Sequence, residues 1–186
     1  MSNKFIYIPI QSKICMQKTI FINEHTYLKN SKIHSNGVFA SKEITIGTKL
    51  IEYTGELISK EEGTKRSDSS HNAHKKDSSK GAIYIFDIDE KNDLDGNVEN
   101  NYAKYINHSC NPNCEFEQEG KKIWVNAIKT IKKNEELTLN YGFIWDEKDY
   151  HEHPCLCNSL NCVGYILAED DWPKLKEHLE KKKKEN

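Results

Sequence analysis

The 186-residue sequence predicts a mostly β fold, and three observations carry that expectation. Short apolar runs recur along the chain, each too brief for a typical helix. Turn signals stand between them, including Ser35-Asn36-Gly37, Ile46-Gly47-Thr48, Asp95-Gly96-Asn97 and Lys133-Asn134-Glu135. Helical patterning is confined to one polar stretch and to the end of the chain.

Taken in order, the strand candidates are Phe5 to Ile10, Val38 to Ala40, Leu50 to Tyr53, Ile83 to Ile88, Tyr102 to Ile106, Ile123 to Ile128 and Leu137 to Tyr141. Residues 60 to 80 hold a single apolar side chain, Ala73, among Lys, Glu, Asp, Ser and His. Such a stretch buries little, which predicts a short helix followed by a mobile loop. From Asp171 onward, an N-cap Asp, an early Pro173, Leu175 and Leu179 four apart, and terminal lysines describe an amphipathic closing helix whose charges suit its dipole. There is no internal repeat.

Length allows one domain with a modest appendage. No apolar run approaches the length of a membrane span, so a soluble protein is expected. A formal net charge of -2 and a sequence pI near 6.5 give no overall nucleic-acid footprint, and the basic end Lys181 to Lys184 reads as a solvated helix terminus. Six Cys without a secretory leader argue for a reducing, intracellular compartment rather than a disulfide framework.

Cys155, Cys157 and Cys162 crowd three thiols into eight residues. Thiolate-bound structural zinc is tetrahedral, so this cluster lacks one ligand. Cys110, His151 and His153 are candidates, and spacing alone slightly favours His153. Cys114 and Cys15 read as ordinary thiols.

In order along the chain stand Ser31-Lys32-Ile33-His34-Ser35-Asn36-Gly37-Val38-Phe39-Ala40, Ile51-Glu52-Tyr53-Thr54-Gly55-Glu56, Tyr84-Ile85-Phe86, Ala103 to Asn113 with Asn107-His108-Ser109-Cys110, and Glu135-Glu136-Leu137-Thr138-Leu139-Asn140-Tyr141. This series resembles the SET-domain protein lysine methyltransferases, and the Cys155, Cys157, Cys162 cluster is similar to their post-SET segment. The resemblance covers residues 24 to 168. It implies a SET-like β-clip: small, mostly antiparallel sheets around a C-terminal pseudoknot, with few short helices and a C-terminal helix. The organisation it implies is an N-terminal extension at 1–23, a SET domain at 24–145 with a variable insert at 57–82, a post-SET zinc segment at 146–168 and a C-terminal basic helix at 169–186.

The implied activity is S-adenosylmethionine-dependent methylation of a protein lysine, on a histone tail or another basic segment laid extended in a groove. The enzyme would act as a monomer without membrane or direct nucleic-acid binding, in a nucleus or on a chromosome if the source or its host is eukaryotic. A catalytically weak SET module that binds a lysine-containing partner is the alternative. A lysine amine, with an ordinary pKa of about 10.4, must lose its proton and water before attacking a methyl group, and an aromatic channel serves both needs. The resemblance puts Tyr84 and Tyr141 in that channel, with Tyr141 nearest the transferred methyl. It assigns Ser35, Asn36, Gly37, Asn107 and His108 to the cofactor, and it moves the fourth ligand of one structural zinc to Cys110, beside Cys155, Cys157 and Cys162.

Several positions depart from the family pattern. Ser35 replaces a glycine, which a serine tolerates if it keeps ordinary φ. Asn134 replaces a turn glycine, a mild change because Asn tolerates the left-handed region. Lys104 stands for an Arg whose fork it cannot reproduce. Asn140 stands for Asp, and Leu139 for Tyr or Phe; the smaller Leu139 leaves space for di- or trimethylation.

Overall fold

The computed structural model describes residues 19–76 and 84–185. The strand candidate Phe5 to Ile10 and the thiol of Cys15 lie outside the described residues, as does the loop expected before Tyr84.

Antiparallel pairing builds three small sheets. The first joins β1 (Ile20–Phe21), β2 (Thr26–Asn30) and β3 (Asn36–Ala40). In the others, β4 (Lys49–Tyr53) pairs with β10 (Lys122–Ala127), which pairs with β9 (Cys114–Glu119), while β7 (Asn92–Asp95) lies between β5 (Glu56–Ser59) and β6 (Ile85–Asp87). β10 alternates as a half-buried strand should: Ile123, Val125 and Ala127 face the core, where Val125 is fully buried beside Val38, Ile131 and Leu137.

One pairing is parallel. β8 (Asn107–His108) runs beside β11 (Thr138–Leu139), with Asn107 opposite Thr138 and His108 opposite Leu139. The run Leu137 to Tyr141 therefore does not form one long strand. Its start belongs to β3, where Leu137 N–H donates to Val38 O at 2.8 Å, and its middle belongs to β8. On the other flank, Asn113 accepts from Thr138 N–H at 2.8 Å and donates to Glu136 O at 2.9 Å. This segment is thus bonded by β3, β8 and a buried amide in succession, the crossing that the polar strip 107–113 serves.

Two expectations need correction. Tyr102 to Ile106 is not a strand but a 3₁₀ turn over Tyr102–Tyr105. Its buried residues Ala103 and Ile106 are three apart, the spacing that lies on one side of such a turn. The polar stretch forms α1 (Lys60–Lys76), a long helix rather than a short one. Tertiary ion pairs hold it: Arg66 reaches Asp95 at 2.8 Å and Glu56 at 2.7 Å, and Lys60 reaches Asp93 at 2.7 Å. Gly63 allows the close approach, since a side chain there would strike the Asp93 carboxylate.

The closing helix α2 (Trp172–Glu185) forms as expected. Asp171 precedes it and accepts from Trp145 N–H at 2.8 Å, tying the helix to a second small core of Tyr150, Leu167 and Leu175. No helix among the described residues is long and apolar enough to cross a membrane.

Candidate active site and metal centre

The turn before β3 is closed by Ser31 N–H donating to Ser35 O at 3.0 Å. Ser35 adopts φ +44°, so the serine does not keep ordinary φ as its tolerance in place of glycine required. Its Cβ is held in the left-handed region at a cost of about 1 kcal/mol. Asn134, at φ +68°, takes the conformation expected of an Asn in place of a turn glycine.

Asn107 fixes this turn from the opposite side. Its amide Nδ2 lies 3.0 Å from Asn36 O, 3.3 Å from His34 O and 2.7 Å from Glu136 Oε1. Both amide protons are thereby committed, and Oδ1 remains as the acceptor. Gly37 lies against the same carboxylate, where any Cβ would collide with Glu136.

His108 connects two sites. Its Nδ1 accepts from Tyr141 N–H at 3.2 Å, which assigns the remaining proton to Nε2, 3.7 Å from Cys110 Sγ. Burial pushes this imidazole down to about 4, so it is neutral at pH 7. Tyr141 donates its hydroxyl to Ile106 O at 2.9 Å. The residue is 39% exposed, yet the hydroxyl end is crowded: burial, then the nearby Tyr84 and Glu136, push its pKa up. Tyr141 is therefore a neutral phenol with Tyr84 as its neighbour.

The backbone of Tyr84 is held by residues that the sequence did not single out. Tyr84 O accepts from Tyr53 O–H at 3.0 Å and from Gly96 N–H at 2.8 Å. Gly96 O in turn accepts from the fully buried Asn101 at 2.9 Å. Gly96 must be glycine because a Cβ would overlap the Tyr53 ring. Tyr53 and Glu136 stood inside the motifs that carry the family resemblance, Tyr53 at the end of an apolar run and Glu136 as one of two carboxylates preceding a buried segment, but neither was given a role.

Cys110, Cys155, Cys157 and Cys162 come together with all four sulfurs within 4.8 Å of one another. Cys110 Sγ is 3.8 Å from Cys155 Sγ and 3.9 Å from Cys162 Sγ. Four thiolates around zinc at about 2.3 Å would be about 3.8 Å apart, so the set fits the ion. His153 instead packs on Phe143 with ring centres 5.0 Å apart. Burial raises the Cys110 thiol to about 11, whereas hydrogen bonds from Ser159 and the backbone outweigh burial and lower Cys157 to about 6. Without a cation, four neighbouring thiolates would repel one another. Cys114 is buried away from this group.

Of the other departures, Lys104 donates to Val98 O at 2.7 Å, and Leu139 is buried in the main core. Hydrogen bonds link the turn at 34–36 through Asn107 and His108 to Tyr141 and the four cysteines. Tyr84 borders the same region.

Residues 35–142 match the family described as the SET domain. The chain is 36% identical over 147 residues to Histone-lysine N-methyltransferase trr of Drosophila melanogaster, covering 76% of this chain and 6% of that protein. It is 35% identical over 142 residues to Histone-lysine N-methyltransferase, H3 lysine-4 specific, of Aspergillus oryzae, covering 73% and 11% respectively. With Histone-lysine N-methyltransferase 2D of Homo sapiens the identity is 34% over 147 residues, covering 76% and 2%. The chain thus spans a small part of the length of these relatives. This chain belongs to the SET-domain family.

Proposed function

We propose that the chain is an S-adenosylmethionine-dependent protein lysine N-methyltransferase acting on a histone tail. The observation that carries this reading is that Asn107 is hydrogen-bonded to the turn at His34 and Asn36 while its chain neighbour His108 accepts from Tyr141 N–H. The names of the relatives, several specific for lysine 4 of histone H3, support that histone as the first substrate to test.

When bound, S-adenosylmethionine would supply a sulfonium methyl whose carbon the lysine nitrogen attacks, the N–C bond forming as the S–C bond breaks and the thioether leaves. Asn107 would meet the cofactor's ammonium through Oδ1, its amide protons being committed elsewhere. The turn at Ser35, Asn36 and Gly37 offers backbone, and His108 contributes mainly its backbone, its ring being engaged with Tyr141 and Cys110. Tyr84 and Tyr141 form the aromatic walls that strip water from the lysine. Tyr141, a neutral phenol, would act by orienting the amine.

The four cysteines hold one structural zinc, which ties the post-SET arm at 146–168 to the crossing. The remaining organisation is the SET domain at 24–145 with its insert at 57–82, preceded by 1–23 and followed by the basic segment at 169–186 that carries α2. A histone target places the protein's work at chromatin.

The test is transfer of radiolabelled methyl to core histones by wild type, Tyr141→Phe and Cys157→Ser. Labelling of a histone by wild type, lost in both variants, is the expected result. Absence of labelling together with absence of cofactor binding would overturn the reading.

A further inference from the structure

We infer that Glu136 is a positioning residue that builds the cofactor cradle, by clamping the Ser31–Gly37 turn onto the amide of Asn107. The inference rests on the cofactor role proposed above for that turn and for Asn107.

Three independent features aim the Glu136 side chain at this place. Its backbone is fixed on both sides: Ala40 N–H donates to Glu135 O at 2.9 Å, Leu137 N–H donates to Val38 O at 2.8 Å, and Asn113 caps Glu136 O at 2.9 Å. The half-buried carboxylate then accepts from Ser31 O–H at 2.7 Å and from Asn107 Nδ2 at 2.7 Å, both at Oε1. Ser31 also receives Ile33 N–H at 2.8 Å, so the carboxylate orders the turn that carries His34, Ser35 and Asn36. Third, Gly37 lies so close that any Cβ would strike Glu136 Oε1 and Ser31 Cβ. A side chain at 37 would have to push this carboxylate away from its two donors.

The consequence concerns which way Asn107 faces. An Asn amide can flip, exchanging donor and acceptor ends at little cost when its neighbours are indifferent. Here the carboxylate and two carbonyls demand the NH2 end, so Oδ1 is left as the end presented to a ligand. Without Glu136 the turn loses its link to Ser31, and Asn107 loses its charged acceptor, the stronger kind of bond. The cradle would then have to be ordered when the cofactor binds, and affinity would fall.

The experiment measures the dissociation constant for S-adenosylmethionine by calorimetry, alongside the melting temperature without cofactor, for wild type, Glu136→Ala, Glu136→Gln and Ser31→Ala. Glu136→Ala should weaken binding about tenfold or more, the effect of losing a charge-assisted bond. Glu136→Gln should recover most of that loss, because one amide oxygen placed at Oε1 satisfies both donors. Ser31→Ala, which keeps the carboxylate, should weaken binding by about threefold, the lower end of the net worth of a neutral hydrogen bond. Binding by Glu136→Ala within twofold of wild type overturns the inference, as does Gln as damaging as Ala at equal melting temperature. Should Glu136→Ala fail to fold, unchanged binding by Ser31→Ala overturns it. No binding by wild type overturns the cofactor reading itself, and the inference with it.

Discussion

The crossing at 107–113 and 134–141 and the arm at 153–165 lie side by side, joined at Cys110, and opposite means hold them together. In the crossing, polar side chains satisfy the backbone: Asn113 both donates to Glu136 O and accepts from Thr138 N–H, and Asn107 spans two carbonyls and a carboxylate. In the arm, a bridge between Pro154 and Tyr165 closes a loop whose Leu156 and Leu160 face solvent and whose inward content is mainly sulfur. The crossing is complete without a ligand; the arm gathers four sulfurs into a set that an ion would fit. A polar strip can therefore be buried structure, and a short hydrophobe-poor loop can be ordered, for different electrostatic reasons.

The largest effect should come from breaking the arm. Binding of a structural zinc is worth on the order of 10 kcal/mol, so chelation should abolish methyl transfer while far-ultraviolet circular dichroism changes little. Activity retained at full zinc removal would separate the arm from function.

Next is Asn113→Ala, which strips the crossing of its buried amide. The orphaned Glu136 O and Thr138 N–H should cost about 3 kcal/mol of stability, read by chemical denaturation. Tyr53→Phe removes one of the two donors to Tyr84 O, which should lower stability by about 1 kcal/mol and reduce turnover more than cofactor affinity. Smallest is Ser35→Gly: relief of φ +44° should stabilise the protein by about 1 kcal/mol, visible as a higher melting temperature.

Much of this contrast was legible in the chain. Strands β3, β4 and β10 followed from apolar runs with turn residues beside them, and the four cysteines converge as the family resemblance implied. Spacing alone pointed to His153, because the approach of Cys110 to a cluster 45 residues later depends on the crossing. The 3₁₀ turn at Tyr102–Tyr105 was hidden because an apolar run has the same composition in a strand as in a tight turn. α1 was underestimated because its support comes from Asp93 and Asp95 across the sheet, which local composition does not reveal. Tyr53 and Glu136 were missed for a related reason. Each acts through a partner distant in sequence, Tyr84 for one and Ser31 with Asn107 for the other.

Amide hydrogen exchange, with zinc bound and after chelation, tests the contrast most directly. Amides at 155–164 should lose protection on chelation, while Thr138, Leu137 and Ser109, bonded to Asn113, Val38 and Leu139, should keep theirs. Joint loss of protection in both regions, or no change in the arm, would contradict the account.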